Sequence, residues 1–234
     1  MNKKMLATIV SIIFVASVLF MIPTAHADNG TVTVTMTLLS GDGTTELNGD
    51  AYYGTDWQWQ TFGGGTTTTT MEVLPLAYTF QVSYGGASQQ LSQNVAKNPN
   101  VVFQTKLVTV KLLASNGVTE LNGGAQYYAS GWKTFGGGTT TSTMELLPVT
   151  YTFQISWAGA VQKKSQNVGK DPNVIFQTVQ VHSDSGKCTS YYASGWRTFT
   201  QDMELLPGTY QFRFSDGTAN KSYKIVASAV NHIH

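Results

Sequence analysis

Cysteine, charge and histidine are scarce in this chain. Of 234 residues, one is Cys, four are His and 12% are charged. A lone cysteine excludes an internal disulfide framework and a cysteine-based zinc cluster. The 14 Lys+Arg and 13 Asp+Glu are nearly balanced, so the basic patch that nucleic acid or an anionic membrane selects is missing. No paired catalytic carboxylates, no Ser–His–acid set and no dense Asp/Asn calcium loop stand out. The expectation is a protein that is not an enzyme, with no cofactor, no metal and no nucleic-acid partner. After residue 27 no stretch carries the 3.6-residue period of an amphipathic helix.

What is present is apolar and small. Hydrophobic residues make up 41% and aromatics 12%, with 23 Gly, enough to bury cores rather than stay disordered. Residues 1–27 start with Lys3-Lys4, run apolar over 5–22, break at Pro23 and end in Ala25-His26-Ala27. That is a signal-peptide pattern with cleavage after Ala27. The apolar run is also long enough for an uncleaved anchor, but the break and the small-x-small site that follow favour removal. Both lysines leave with it, so 12 Lys+Arg face 13 Asp+Glu in what remains. The expected location is secreted or cell-surface associated, with no membrane contact after removal.

The clearest signal is internal repetition. Residues 62–105 and 135–178 align without a gap and are identical at 31 of 44 positions. A third copy keeps Tyr-Tyr-Ala-Ser-Gly-Trp (191–196) and Met-Glu-Leu-Leu-Pro (203–207) but has lost the Gly-Gly-Gly-Thr tract. The units are drawn at 28–105, 106–178 and a shortened 179–234. Within each, apolar residues recur every second position, as at Val32, Val34, Met36 and Leu38 or Tyr151, Phe153, Ile155 and Trp157. Gly, Asn and Asp turns punctuate these runs. The expected fold is all-β: small β-sandwich repeats of transthyretin-like or Ig-like type in tandem.

Leu121-Asn122-Gly123-Gly124-Ala125-Gln126-Tyr127 and Met203-Glu204-Leu205-Leu206-Pro207-Gly208-Thr209-Tyr210 resemble the carboxypeptidase regulatory-like and collagen-adhesin B-type repeats of bacterial surface proteins. Copies one and two depart from that pattern, with Leu76 and Val149 in place of the Gly after Pro. The resemblance implies a transthyretin-like sandwich serving as a stalk or surface module, with no chemistry. Some such repeats cross-link a first-strand Lys to a last-strand Asn beside an acid. Lys111, Glu145 and Asn173 stand at matching places in copy two, whereas copy one has Thr37 and copy three His182 where Lys111 would be.

Three further features remain. Tyr52-Tyr53, Tyr127-Tyr128 and Tyr191-Tyr192 each offer one inward and one outward ring if they lie on strands. Trp57, Trp59, Trp132 and Trp196 follow them. Outward Tyr and Trp beside Gly and Thr suit a sugar ring or a protein partner, and inward Trp would cap a core. Glu72, Glu145 and Glu204 recur before each Leu-Pro step with no repeating base or nucleophile, and read as partly exposed strand residues. The unpaired Cys188 is open to a bond between subunits or to burial. The functional expectation is an exported structural or adhesive repeat protein whose partners are other surface proteins, polysaccharide or copies of itself. One alternative is a filament or matrix subunit that pairs through residues 31–38 as an edge strand. Another is a carbohydrate-binding module.

Overall fold

The computed structural model describes residues 30–55, 58–63, 68–227 and 230–234, so the leader, Ala27 and Trp57 lie outside the described residues. Every alternating run becomes a strand. The first repeat holds β1 (Val32–Leu39), β2 (Asp50–Thr55), β3 (Gln58–Thr61), β4 (Thr69–Val73), β5 (Ala77–Tyr84), β6 (Ala87–Asn94) and β7 (Asn100–Gln104). The second holds β8 (Lys106–Leu113), β9 (Glu120–Leu121), β10 (Gly124–Tyr128), β11 (Trp132–Thr139), β12 (Ser142–Leu146), β13 (Thr150–Trp157), β14 (Ala160–Asn167) and β15 (Asn173–Gln177). The third holds β16 (Val179–Ser183), β17 (Cys188–Tyr192), β18 (Trp196–Thr198), β19 (Asp202–Leu205), β20 (Gly208–Phe214), β21 (Lys221–Ile225) and β22 (Asn231–Ile233). No helix occurs among the described residues, and hence none long and apolar enough to cross a membrane. The fold is all-β, built of small sandwiches in tandem.

Each repeat faces a small sheet with a four-stranded one. In the first, the order β4-β1-β7 faces β3-β2-β5-β6; β12-β8-β15 faces β11-β10-β13-β14 in the second, and β19-β16-β22 faces β18-β17-β20-β21 in the third. The period of two places Val34, Met36 and Leu38 on the inner face of β1, where they join Phe80 and Val82 of β5 and Val101 and Phe103 of β7 in one core. Burying such side chains stabilises by about 1.5–3 kcal/mol each. Rings meet edge-on inside, as Phe62 with Phe80 and Phe135 with Phe153, an arrangement favoured by the ring quadrupole.

Residues 31–38 are not an edge strand. β1 pairs antiparallel with β4 and parallel with β7, so both of its backbone sides are used. The same holds for β8, between β12 and β15, and for β16, between β19 and β22. The last strand of each repeat returns to lie beside the first, a pairing between residues fifty or more apart that local alternation does not reveal. Among the strands left on sheet edges, β6 is Gln- and Ser-rich and β14 carries Lys163 and Lys164, side chains that discourage pairing between edges.

Candidate functional site

Strands β4, β12 and β19 lead into the same step: Glu72-Val73-Leu74-Pro75, Glu145-Leu146-Leu147-Pro148 and Glu204-Leu205-Leu206-Pro207. Val73, Leu146 and Leu205 point into their own cores. Strand alternation sends the residues on either side, a Glu and a Leu, the other way, and the Pro, lacking an N–H, ends the ladder there. In the second and third repeats that outward pair reaches into the preceding repeat. Leu147 is fully buried in the core of repeat one, and Leu206 is 1% exposed in the core of repeat two.

The carboxylates complete each joint. Glu145 accepts from the Ser40 hydroxyl at 2.9 Å, from the Gly41 backbone N–H at 3.1 Å and from the Thr105 hydroxyl in the linker. Glu204 accepts from the backbone N–H and hydroxyl of Ser115 and from the Thr178 hydroxyl. Thr105 and Thr178 are fully buried. The seryl hydroxyl comes from Ser40 before the N–H donor in one joint, and from the N–H donor Ser115 itself in the other. Two different turns thus supply the same three donors. Glu145 and Glu204 are half-buried strand residues, and these contacts give them a place in the joint that the sequence reading did not assign.

A hairpin tip closes the other side of each joint. Gly85 and Gly86 between β5 and β6, and Ala158 and Gly159 between β13 and β14, all have positive φ, the conformation of a two-residue type I′ turn. Tyr127 donates to the Gly85 carbonyl and Tyr191 to the Ala158 carbonyl, each at 2.9 Å. A Cβ on Gly86 would lie 2.9 Å from the Ala129 carbonyl oxygen, and one on Gly159 would lie 2.7 Å from that of Ala193, so the tips touch the next repeat backbone to backbone. Trp157 donates its indole N–H to the Glu204 carbonyl at 2.8 Å. Tyr84, in the matching place of joint one, has its phenol pKa raised by burial and then by the nearby Glu145 carboxylate.

The aromatic candidates divide by face. Tyr53, Tyr127 and Tyr191 stand opposite Phe80, Phe153 and Phe212 and point inward. Tyr52 falls instead at the Gln126 position, and Gly54 at that of Tyr128 and Tyr192, because the Tyr-Tyr pair starts three residues after Gly49 in the first repeat and four after Gly123 in the second. Among the described residues, outward pairs therefore form in the second and third repeats. Tyr128 meets Trp132 at 5.5 Å with Lys163 4.8 Å above the indole, and Tyr192 meets Trp196 at 5.6 Å with Arg213 4.1 Å above it. Trp59 is exposed across from Gly54.

The three residues of the cross-link expectation are not brought together. Lys111 pairs with Glu120, Glu145 leaves for the joint, and Asn173 stands across from Thr109 on β15. Cys188 is buried in the third core, where burial pushes its thiol up to about 11. A thiol-directed reagent at pH 8 should therefore label the native chain far more slowly than the unfolded one. Equal rates in a timed absorbance assay would contradict that burial. At the far end of repeat three, His182 contacts Asp202 at 2.7 Å and His232 contacts Asp184 at 2.6 Å. No group of three or more His, Cys, Asp or Glu among the described residues is placed to hold a metal ion.

No family model matches the chain, and no curated protein matches it. Among solved structures, the Bacillus anthracis TIE protein aligns over 87% of this chain and 49% of its own, at 13% identity and a TM-score of 0.23. A streptococcal ancillary pilin aligns over 86% of this chain and 98% of its own, at 12% identity and a TM-score of 0.23. The chain thus spans about half the length of the TIE protein chain that it matches. Scores this low do not establish a common fold, and what those proteins do is not carried over.

Proposed function

We propose that this chain is an exported, non-enzymatic structural repeat protein of the cell surface or extracellular space, in which the joints lock three sandwiches into one stiff spacer. The observation that carries the reading is that each joint sinks a leucine of one repeat into the core of its neighbour and satisfies a carboxylate with donors from the preceding repeat and the linker. Flexible tethering needs neither. In nearest-neighbour terms the interface free energy couples the repeats and makes them unfold together. Residues 28–234 should therefore unfold in urea as one transition, with an m-value matching the surface of all three repeats. Three separable transitions would sink the reading.

A second reading, carbohydrate or protein binding, is favoured by the outward Tyr128–Trp132 and Tyr192–Trp196 pairs. Edge-to-face aromatic pairs on a sheet face supply apolar area with little entropy cost, and their repetition along one chain adds avidity. Wall glycans should then quench tryptophan fluorescence, and Trp132→Ala with Trp196→Ala should abolish the change. No quenching across a glycan panel would remove sugar from the reading.

A further inference from the structure

The two ends of the three-repeat array are not alike. Repeat one carries counterparts of the glutamate, leucine and linker threonine that repeats two and three use to dock backwards: Glu72 and Leu74 in place of Glu145 and Leu147, and Thr31 in place of Thr105 and Thr178. The last equivalence follows from register, because Val32 stands across from Val73 as Lys106 stands across from Leu146. Yet Leu74 is 55% exposed and Leu76 52%, whereas Leu147 and Leu206 are buried. Glu72 is exposed as well, with the Thr33 hydroxyl as a partner on the neighbouring strand.

The opposite end lacks the matching socket. By turn register Ser183 corresponds to Ser40, since Gly186 donates to its carbonyl as Gly43 does to that of Ser40. The next residue is Asp184 rather than Gly41 or Ser115. Its N–H is given to the Ile233 carbonyl, and its carboxylate is held by His232. Asp216 stands where Tyr84 and Trp157 stand in the other repeats, and the tight two-residue tip is replaced by the longer turn between β20 and β21. An incoming glutamate would meet Asp184 and Asp202 there. Repeat three resembles the polar terminal units that close repeat arrays, although the Ser183 hydroxyl remains buried without a partner.

We propose that the Thr31–Glu72–Leu74 end of repeat one is an open half-joint, and that it seats the socket end of a further β-sandwich repeat on another polypeptide. That partner presents what repeats one and two present to their successors: a seryl hydroxyl and a turn N–H at the mouth of an apolar hole, with a type I′ hairpin tip beside it. The argument is continuity, because the same surface is covered in this manner at both internal joints. A second copy of this chain is the weaker fit, since the socket end of its repeat three has lost the N–H donor and gained carboxylates. Docking is then one-sided, so the chain extends or terminates another array without polymerising by itself.

The proposal rests on the reading of the joints as rigid locks and is tested with complete chains over residues 28–234. The probe carries Leu74→Asp, Glu204→Lys and Leu206→Asp, which disable its own half-joint and vacate the socket of repeat two. A red-shifted Trp157 emission reports that the socket has opened. Sedimentation velocity should show a one-to-one complex of probe with the unmodified chain, and none with a chain carrying Leu74→Asp. An opened socket that binds nothing overturns the proposal. So does concentration-dependent association of the unmodified chain alone, which would make the partner a second copy. Should the probe not fold, residues 106–177 inserted directly before Thr31 provide the second test. Leu74→Ala should then lower the unfolding midpoint of the extended chain as much as Leu147→Ala does, and an unchanged midpoint overturns the proposal. If Leu147→Ala is itself silent, the rigid-lock reading fails instead.

Discussion

Leu147→Ala should destabilise the chain by about 2–5 kcal/mol, the cost of truncating a core leucine, although Leu147 follows a strand of repeat two and fills the core of repeat one. The loss combines the transfer free energy of the removed methyl groups with the cavity they leave. Leu74→Ala provides the internal control. It stands at the same step of the repeat but is exposed, and substitutions at such surface positions stay within about 0.5 kcal/mol. Urea or guanidinium unfolding of the two variants side by side measures the difference. Equal effects would mean that position in the repeat, rather than burial across the joint, sets the cost.

Glu204→Ala should be comparably damaging, by about 3 kcal/mol, because it strips the acceptor from the Ser115 N–H and from the Ser115 and Thr178 hydroxyls. Hydrogen bonds to a charged group contribute about 1.5–3 kcal/mol each, but the three share one carboxylate and do not add. Thr178 is buried and its hydroxyl has a second acceptor, the Leu113 carbonyl, so it turns there and recovers part of the loss. The Ser115 N–H has no such alternative. Glu204→Gln should restore part of the loss, since its amide oxygen can still accept from the Ser115 N–H while its NH2 donates to a hydroxyl, which accepts as well as donates. Glu72→Ala should cost little, because the Thr33 hydroxyl it leaves is exposed to water. Denaturant midpoints at neutral pH test the ranking, and a Glu72→Ala as costly as Glu204→Ala would refute the assignment of the carboxylate to the joint.

Local chemistry made the strands legible. Alternation in residues 31–38 and 151–157, with Gly and Asn turns between runs, placed β1 and β13 and their inward faces. Near-identity over 62–105 and 135–178 put the same sandwich in both repeats. The strand neighbours were not legible in this way. Period two states which face a side chain takes but not which strand lies alongside, so residues 31–38 read as an edge although β7 covers one side of β1. Tyr52-Tyr53 follows the alternation, with Tyr53 inward, but the pair starts one residue nearer its turn than Tyr127-Tyr128, so its outward ring takes the Gln126 position.

The sequence by itself determined the class: all-β, repeated, low in charge and poor in catalytic side chains, because composition and short-range periodicity act within a few residues. Only the tertiary structure decided what the recurring Glu-x-Leu-Pro step is for. Glu72, Glu145 and Glu204 are indistinguishable as letters, and so nearly are Leu74, Leu147 and Leu206. Two of the leucines become buried anchors and two of the glutamates half-buried ones, while one of each stays exposed, solely because a preceding repeat is present for the second and third. Burial belongs to the pair of surfaces that meet, and a chain-local pattern holds only one of them.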